Sequence, residues 1–515
     1  MVGLIRRPLP LARGGSIVRT SFPRHYQTQT TPIEGVVFQL RCRHELIPIL
    51  VALQHIYSRT DVCEQLLQLI AQDINQETQA RRGRPGLSYW EILVLAAVRL
   101  GCNSNYDALE DLAENHRTLR QIMGVADDPI DPEEPPPYLW HRLRDNLCRL
   151  QPETLKRINQ LLVHVGHELE PTAGEQVRGD SFVVETNIHY PTEASLLGDG
   201  CRKILDLARE LRLLLPLDVW RPKHWRKRLK KALWGVSRAS RSKAKNAALL
   251  KQRAYQVLYE LTEQLLAKGR QLAEQVAERL AEVVILISPV AALHQQLQEF
   301  VQRTTQVLDY SRRRVLHGET IANHEKLFSL FEPQTQLINR GKKPQPIEFG
   351  HKLLVIEDAV GFICHYHILG NSETDEDTVV PQMTQLKQRQ PEIKSASFDR
   401  GFHTPANQEQ LATLVPVACI PKRGAQQARR QAEQAGAAFQ EARRAHPGVE
   451  SLIGALQRGH GLKRCRDRGS LGYARYVGIA VLGHNLKTLG KLLLRQKDAD
   501  CLAGSTKRKR RTAVA

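Results

Sequence analysis

The chain lacks paired thiols. Its nine cysteines (Cys42, Cys63, Cys102, Cys148, Cys201, Cys364, Cys419, Cys465 and Cys501) are scattered, odd in number and never spaced C-x-x-C, which argues against a secreted disulfide scaffold and a thiolate zinc site and fits a reducing cytoplasm. It lacks a long apolar run: the nearest approach to a bilayer span, Leu280 to Leu293, is too short and carries Glu282. The basic N-terminus, Met1 to Arg24, lacks the continuous apolar core of a signal peptide, because Arg6, Arg7, Pro8, Pro10 and Arg13 interrupt it. A soluble protein with a disordered basic arm is expected. No internal repeat is apparent. Acidic residues are in deficit: 74 Lys and Arg stand against 54 Asp and Glu, a net charge of +20 over 515 residues. Such an excess points to a polyanionic partner. An apolar fraction of 42% excludes wholesale disorder, and the length suggests about three domains.

Apolar residues at helical spacing begin at Glu45 and run to about Ile70. The arginine-rich break Ala80 to Gly86 follows, and helical patterns resume at Tyr89–Leu100, Tyr106–Glu114, Tyr138–Leu150 and Pro152–Leu169. Residues 40–172 are therefore expected to form an all-helical domain after an arm over 1–39. The pattern changes at Gln176 to Asn187, where the short β-branched centre Phe182-Val183-Val184 predicts a buried strand. From Thr192 to about Val307 it is helical again, with Leu258, Leu261, Leu265, Leu272, Val276 and Leu280 near heptad spacing, as in a long helical hairpin or coiled coil. Strands return at Phe349–Glu357 and Val360–Leu369, a predicted hairpin, and at Lys394–Asp399 and Val415–Ile420 with a helix, Pro405–Leu414, between them. Gln426–Arg444, Gly448–Gln457 and Val477–Leu494 read as helices. This order predicts an α/β core over 173–194 and 345–497, interrupted by a helical insertion at 195–344 and followed by a basic tail at 498–515.

Three carboxylates stand out against apolar surroundings. Asp180 enters the strand Phe182-Val183-Val184, Asp399 ends the strand before the turn Arg400-Gly401, and Glu450 lies on a helix with Val449, Leu452, Ile453 and Leu456. A charge in such a place needs a partner, a metal or an arginine. If the two strands are neighbours and the helix packs across them, the three acids converge and could hold two Mg²⁺ ions roughly 3.5–4 Å apart. Composition alone favours the plainer account in which each is a cap or an ion-pair partner.

The strings Arg178-Gly179-Asp180-Ser181, Val184-Glu185-Thr186-Asn187-Ile188-His189-Tyr190-Pro191-Thr192, Ser397-Phe398-Asp399-Arg400-Gly401-Phe402, Val449-Glu450-Ser451-Leu452-Ile453 and Gly461 through Gly469 together resemble bacterial insertion-sequence transposases of the DDE kind, most closely the group called ISNCY. Gly83-Arg84-Pro85-Gly86, Phe328 to Pro333 and His484-Asn485-Leu486 extend the resemblance over residues 40 to 495. It implies a ribonuclease-H-like mixed-sheet core in which Asp180, Asp399 and Glu450 bind two Mg²⁺ ions, with Mn²⁺ as a substitute. It implies cleavage and rejoining of double-stranded DNA at terminal inverted repeats and at a target, and self-association on that DNA. In one related branch a Tyr and an Arg precede the glutamate and a Lys follows it. The positions here are Arg443, His446 and Gln457, so a hairpin pathway is not implied.

The stretch Arg221 to Arg253 holds no acidic residue and is interleaved with Trp225 and Trp234. Arg226, Lys227, Arg228, Lys230 and Lys231 there suit a phosphate backbone, with the indoles placed to stack on bases, although a solvated basic helix face has the same composition. Arg82 and Arg84 suit a minor groove or a polar interdomain loop equally well. Lys463 and Arg464 are further candidates for DNA contact, and Lys507 to Arg511 reads as a phosphate-binding tail. His351, His365 and His367 are expected to be packed or surface residues because no third ligand accompanies them. The acidic run Glu373 to Asp377 is expected to cap a helix, and Thr186 and Asn187 are expected to support Asp180.

Overall fold

The computed structural model describes residues 20–22, 30–40, 44–75, 86–127, 138–215, 222–282, 287–341, 346–422 and 436–512, without side chains for 282–288 and 500–512. The basic arm, most of its length, and the arginines of the 80–85 break lie outside the described residues. The chain clusters into two compact units, one of residues 1–184, 352–467 and 471–515, the other of residues 185–351 and 468–470.

The first unit opens with α1 (Leu46–Ser58), α2 (Thr60–Asn75), α3 (Tyr89–Gly101), α4 (Tyr106–Asn115), α5 (Arg117–Met123), α6 (Trp140–Leu147) and α7 (Pro152–Leu169). Every residue of α3 is buried, so it is the axis round which the others pack, a helix apolar on all sides. Its start is fixed by a capping box in which Ser88 Oγ accepts from the Glu91 amide and Glu91 accepts from the Ser88 amide. Its one buried arginine, Arg99, forks onto Asp467 and lies over the Tyr106 ring, 4.1 Å from its centroid. At its end Gly101 meets Gly483, where a β-carbon would stand 2.5 Å from the Gly101 nitrogen. Glycine at that crossing is what lets the backbones touch.

The sheet has seven strands of mixed direction. In the first unit β1 (Gln176–Thr186) pairs in parallel with β5 (Ser395–Phe398), β5 pairs in parallel with β6 (Val417–Cys419), and β3 (Ile347–Asp358) forms an antiparallel hairpin with β4 (Ile363–Ile368). The short β7 (Arg464–Cys465) also pairs with β1, whose other neighbour is β3. The parallel strands are not continuous apolar runs, since β1 carries Arg178, Asp180 and Ser181 and β5 carries Ser395 and Ser397, but their buried residues pack under helices. Those helices include α12 (Asp375–Arg389), α13 (Pro405–Leu414), α14 (Ala437–Ala445), α15 (Gly448–Gly459) and the long α16 (Gly469–Thr512). Leu155 and Ile158 of α7, Leu353 to Ile356 of β3 and Tyr476 to Leu482 of α16 belong to one buried cluster with α1 and α3. The helical segment expected at 40–172 and the sheet expected after it thus share a single core, and α16 continues as helix through the stretch expected to be a separate tail.

The second unit is a bundle of α8 (Glu193–Leu214), α9 (Pro222–Ser240), α10 (Ala247–Glu282) and α11 (Ile287–His317) with its own core. Leu258, Leu261, Leu265, Leu272 and Val276 are all buried in it, so the heptad-like leucines pack within the chain, in four helices where a hairpin or coiled coil was expected. The short β2 (Gln336–Asn339) pairs with residues 347–350 of β3 in this unit. Among the described residues no helix is long and apolar enough to cross a membrane.

Three buried histidines of the first unit set an acid limit on stability. Burial pushes His460 and His365 down to about 4 and His484 to about 3. The His460 and His484 rings stand 5.3 Å apart and bond to the carbonyls of Leu100 and Gly361. Each folded value lies below the unfolded 6.5, so the stabilisation is complete above 6.5 and is lost as the pH falls toward the folded values. The urea midpoint should fall between about pH 7.5 and about pH 5, and less so in His484→Gln, which keeps the donor but does not titrate. Equal losses in the two proteins would show that His484 is not the titrating group.

Candidate active site

The parallel ladder between β1 and β5 ends with Gly179 opposite Phe398. One step on, Asp180 and Asp399 are the next residues of two strands that lie about 4.8 Å apart. Asp399 is extended (φ −71°, ψ 165°), its carboxylate accepting from the Arg400 amide at 2.6 Å. Asp180 Oδ1 accepts from the Ser181 amide at 2.7 Å. Asp399 therefore follows the carboxyl end of β5, while Asp180 stands within β1 just past the last β1–β5 pair, at the carboxyl end of their shared ladder, the edge at which open α/β sheets place their ligands.

Glu450 arrives on the first turn of α15, and an arginine ties that turn to β1. Arg178 shares a face with Asp180, two residues on. Its Nε donates to Glu357 Oε1 at 2.6 Å and its NH1 to the carbonyl of Ala445, the last residue of α14, at 3.0 Å, while Gly448 of α15 packs so closely on the guanidinium that a β-carbon there would displace it. His446 completes the join. Its Nδ1 is hydrogen-bonded to Ser397 Oγ at 3.3 Å. Burial lowers its ionisation most, Asp399 pulls it back up, Arg178 pushes it down and Glu450 pulls it up. One imidazole thus lies within charge range of Asp399, Arg178 and Glu450 together. On the other side Ser181 Oγ donates to Asp375, whose second oxygen pairs with Lys352 at 2.7 Å.

Two corrections follow. The acids are not in the apolar surroundings expected of them: Asp180 is half-buried, and Asp399 and Glu450 are exposed. The apolar neighbours Phe398, Val449 and Leu452 turn inward, Asp399 and Glu450 project from the ends of their elements into solvent, and Asp180, within β1, is partly accessible. Nor do Thr186 and Asn187 support Asp180, since Thr186 lies six residues along the same strand, about 20 Å away. Sequence reasoning assigned no part in this site to Arg178, Glu357, Asp375 or His446. Their roles depend on partners far along the chain, such as Glu357, 179 residues from Arg178.

Burial raises Glu357 to about 7, against the lowering by Arg178. Replacing Arg178 by Met should then cost about 3 kcal/mol, the low end for breaking a buried pair, because Glu357 can take up a proton. Adding Glu357→Gln should recover most of that in a double-mutant cycle of urea midpoints. Additive costs would deny the coupling.

The histidines set aside by sequence have protein partners: His351 with Gln336, His365 with Gln382 and Arg389, and His367 with Glu373. The acidic run does cap a helix, Thr374 and Asp377 forming a capping box on α12. Arg82 and Arg84 lie outside the described residues, as do the side chains of Lys507 to Arg511. Lys463 and Arg464 are exposed, Arg464 on the strand that pairs with β1.

In the bundle, the basic residues divide. Arg226 is paired with Asp206, and Arg228 lies over Trp225, 4.6 Å from the ring centroid, with Lys268 beyond at 5.7 Å. Trp225 is therefore buried and cannot stack on a base. Lys227, Lys230, Lys231, Trp234 and Arg238 are exposed at three- and four-residue spacing, one face of α9, with Arg238 beside the Trp234 ring.

No protein-family model matches the chain, and no curated protein or solved structure matches it either.

Proposed function

We propose that the chain is a DNA transposase with a ribonuclease-H-like core, binding the terminal inverted repeats of an insertion sequence and cleaving and rejoining DNA strands in a bacterial cytoplasm. The observation that carries this reading is the adjacency of Asp180 and Asp399 at the end of the β1–β5 ladder, and it is supported by Glu450, on the first turn of α15, acting on the same His446 imidazole as Asp399. Two neighbouring aspartates, and a glutamate within charge range of the same His446 imidazole as Asp399, would supply hard oxygen donors of the kind that suit Mg²⁺ or Mn²⁺. Such ions would activate water or a 3′-hydroxyl and offset charge on the phosphodiester. The protein's own part is to fix the acids: the ladder spaces the two aspartates, and Arg178 holds the end of α14, just before the glutamate's helix, against β1.

The net charge of +20 supports a polyanionic substrate and keeps unliganded copies apart. With the bundle leucines buried, pairing of two copies is expected only on DNA. The test is a strand-transfer assay on duplexes ending in the repeats that flank the gene. Cleaved and joined products support the reading, cleaved products alone mean a nuclease of the same core, and binding without cleavage means a non-catalytic derivative.

A further inference from the structure

We propose a second metal site, separate from the three acids: a zinc ion held by His167 Nε2, Asp358 Oδ2 and Cys364 Sγ, joining α7 to the β3–β4 hairpin. The three ligand atoms all lie within 4.8 Å of one another, with Asp358 Oδ2 2.9 Å from His167 Nε2 and 3.9 Å from Cys364 Sγ. Imidazole, carboxylate and thiol together are a borderline-soft set that suits Zn²⁺ and disfavours Mg²⁺.

Four features of the surroundings fit this role. Asp358 is wholly buried, and among the described residues its one ion-pair partner is His167. A buried carboxylate is held ionised only by such partners. Its other oxygen accepts from the amides of Val360, Gly361 and Phe362 at 2.9, 2.7 and 2.9 Å, which aims Oδ2 at the site. Behind His167, Nδ1 stands 3.8 Å from Glu392 Oε1, beyond hydrogen-bond length but on the side where a carboxylate orients a zinc-bound imidazole once the two close up. Lastly, His167, Cys364, Gln390 and Glu392 line one cavity of about 740 Å³, which gives water a route to the ligand atoms, and among the described residues the buried Gln390 Oε1 has no hydrogen-bond partner although the Gln390 side chain reaches Cys364.

Binding would convert the Cys364 thiol to a thiolate, its proton leaving to solvent, so burial that raises the free thiol is offset by the ion. The site spans residues that the sequence scatters, which is why a search for C-x-x-C pairs finds nothing there.

The experiment uses the full chain stripped with a chelator and titrated with Co²⁺ as a spectroscopic stand-in for Zn²⁺. A near-ultraviolet thiolate-to-cobalt charge-transfer band saturating at one ion per chain is expected. It should vanish in Cys364→Ser, a near-isosteric change, and persist in Asp399→Asn. Zn²⁺ should raise the melting temperature of wild type and Asp399→Asn by several degrees and leave Cys364→Ser unmoved. Circular dichroism establishes that the serine variant is folded; should it not be, His167→Gln replaces it. Cobalt binding without the band, or a band that survives loss of Cys364 or His167, overturns the site. None of these outcomes depends on DNA cleavage, so the proposed function stands or falls separately.

Discussion

Asp180→Asn, Asp399→Asn and Glu450→Gln should each abolish strand cleavage and leave DNA binding intact or tighter. Each substitution keeps the side chain's shape and removes one negative charge. If the carboxylates hold the ions that activate the nucleophile, the loss should be roughly 10³-fold or more, the scale on which one member of a concerted site matters. Folding should be spared, because Asp399 and Glu450 are exposed and Asp180 is half-buried; surface changes of this kind stay within about 0.5 kcal/mol. Binding should improve slightly, since a negative charge facing phosphate has been withdrawn. The informative measurement is the pair of assays on one preparation, electrophoretic mobility shift and cleavage of repeat-end duplexes. Parallel loss of both would assign the acids a structural role, while retained cleavage in any variant would remove that residue from the site. Asp375→Asn is the companion control. Its carboxylate is already engaged by Ser181 and Lys352, so a modest effect is expected.

How much of this was readable in the sequence depends on how local each feature is. The helix Pro152–Leu169 and the strand from Gln176 were legible to within a residue, because proline at the helix start and a β-branched run flanked by breakers act locally. Helix α5 was missed since seven residues carry too little periodicity, and the break at Arg59 between α1 and α2 was missed because neither glycine nor proline marks it. Strands β2 and β7, four and two residues long, exist only by pairing with a longer neighbour. The acids were found by their neighbours in sequence, yet the reason given for them was mistaken: apolar residues beside Asp399 and Glu450 face inward while the acids face out. What could not be read at all is what crosses the chain, such as Arg178 with Glu357, or His167 with Asp358, 191 residues apart. Side-chain pairing at that separation is fixed by tertiary packing and leaves no periodic trace.

The bundle's basic face gives the remaining large effect. Lys227, Lys230, Lys231 and Arg238 are exposed beside Trp234, which is 62% exposed. An aromatic of that size left in solvent among cations is suited to a base unstacked from its neighbours. Changing the four cations to Gln should lower the slope of log K against log salt by about 0.9 for each phosphate no longer neutralised, or about 3.6 if all four cations engage one. Over a fourfold rise in salt those ion pairs account for about a hundredfold loss of affinity in the wild type, which the variant should not show. Trp234→Ala should behave differently, weakening binding to distorted or single-stranded DNA by about 1–3 kcal/mol with little change in slope. Arg226→Gln and Arg228→Gln should change the slope less and the bundle's stability more, because Arg226 is paired with Asp206 and Arg228 covers Trp225. An unchanged slope in the four-cation variant, measured by fluorescence anisotropy across a salt series, would make this face of α9 a solvated surface and move the DNA-binding surface elsewhere in the chain.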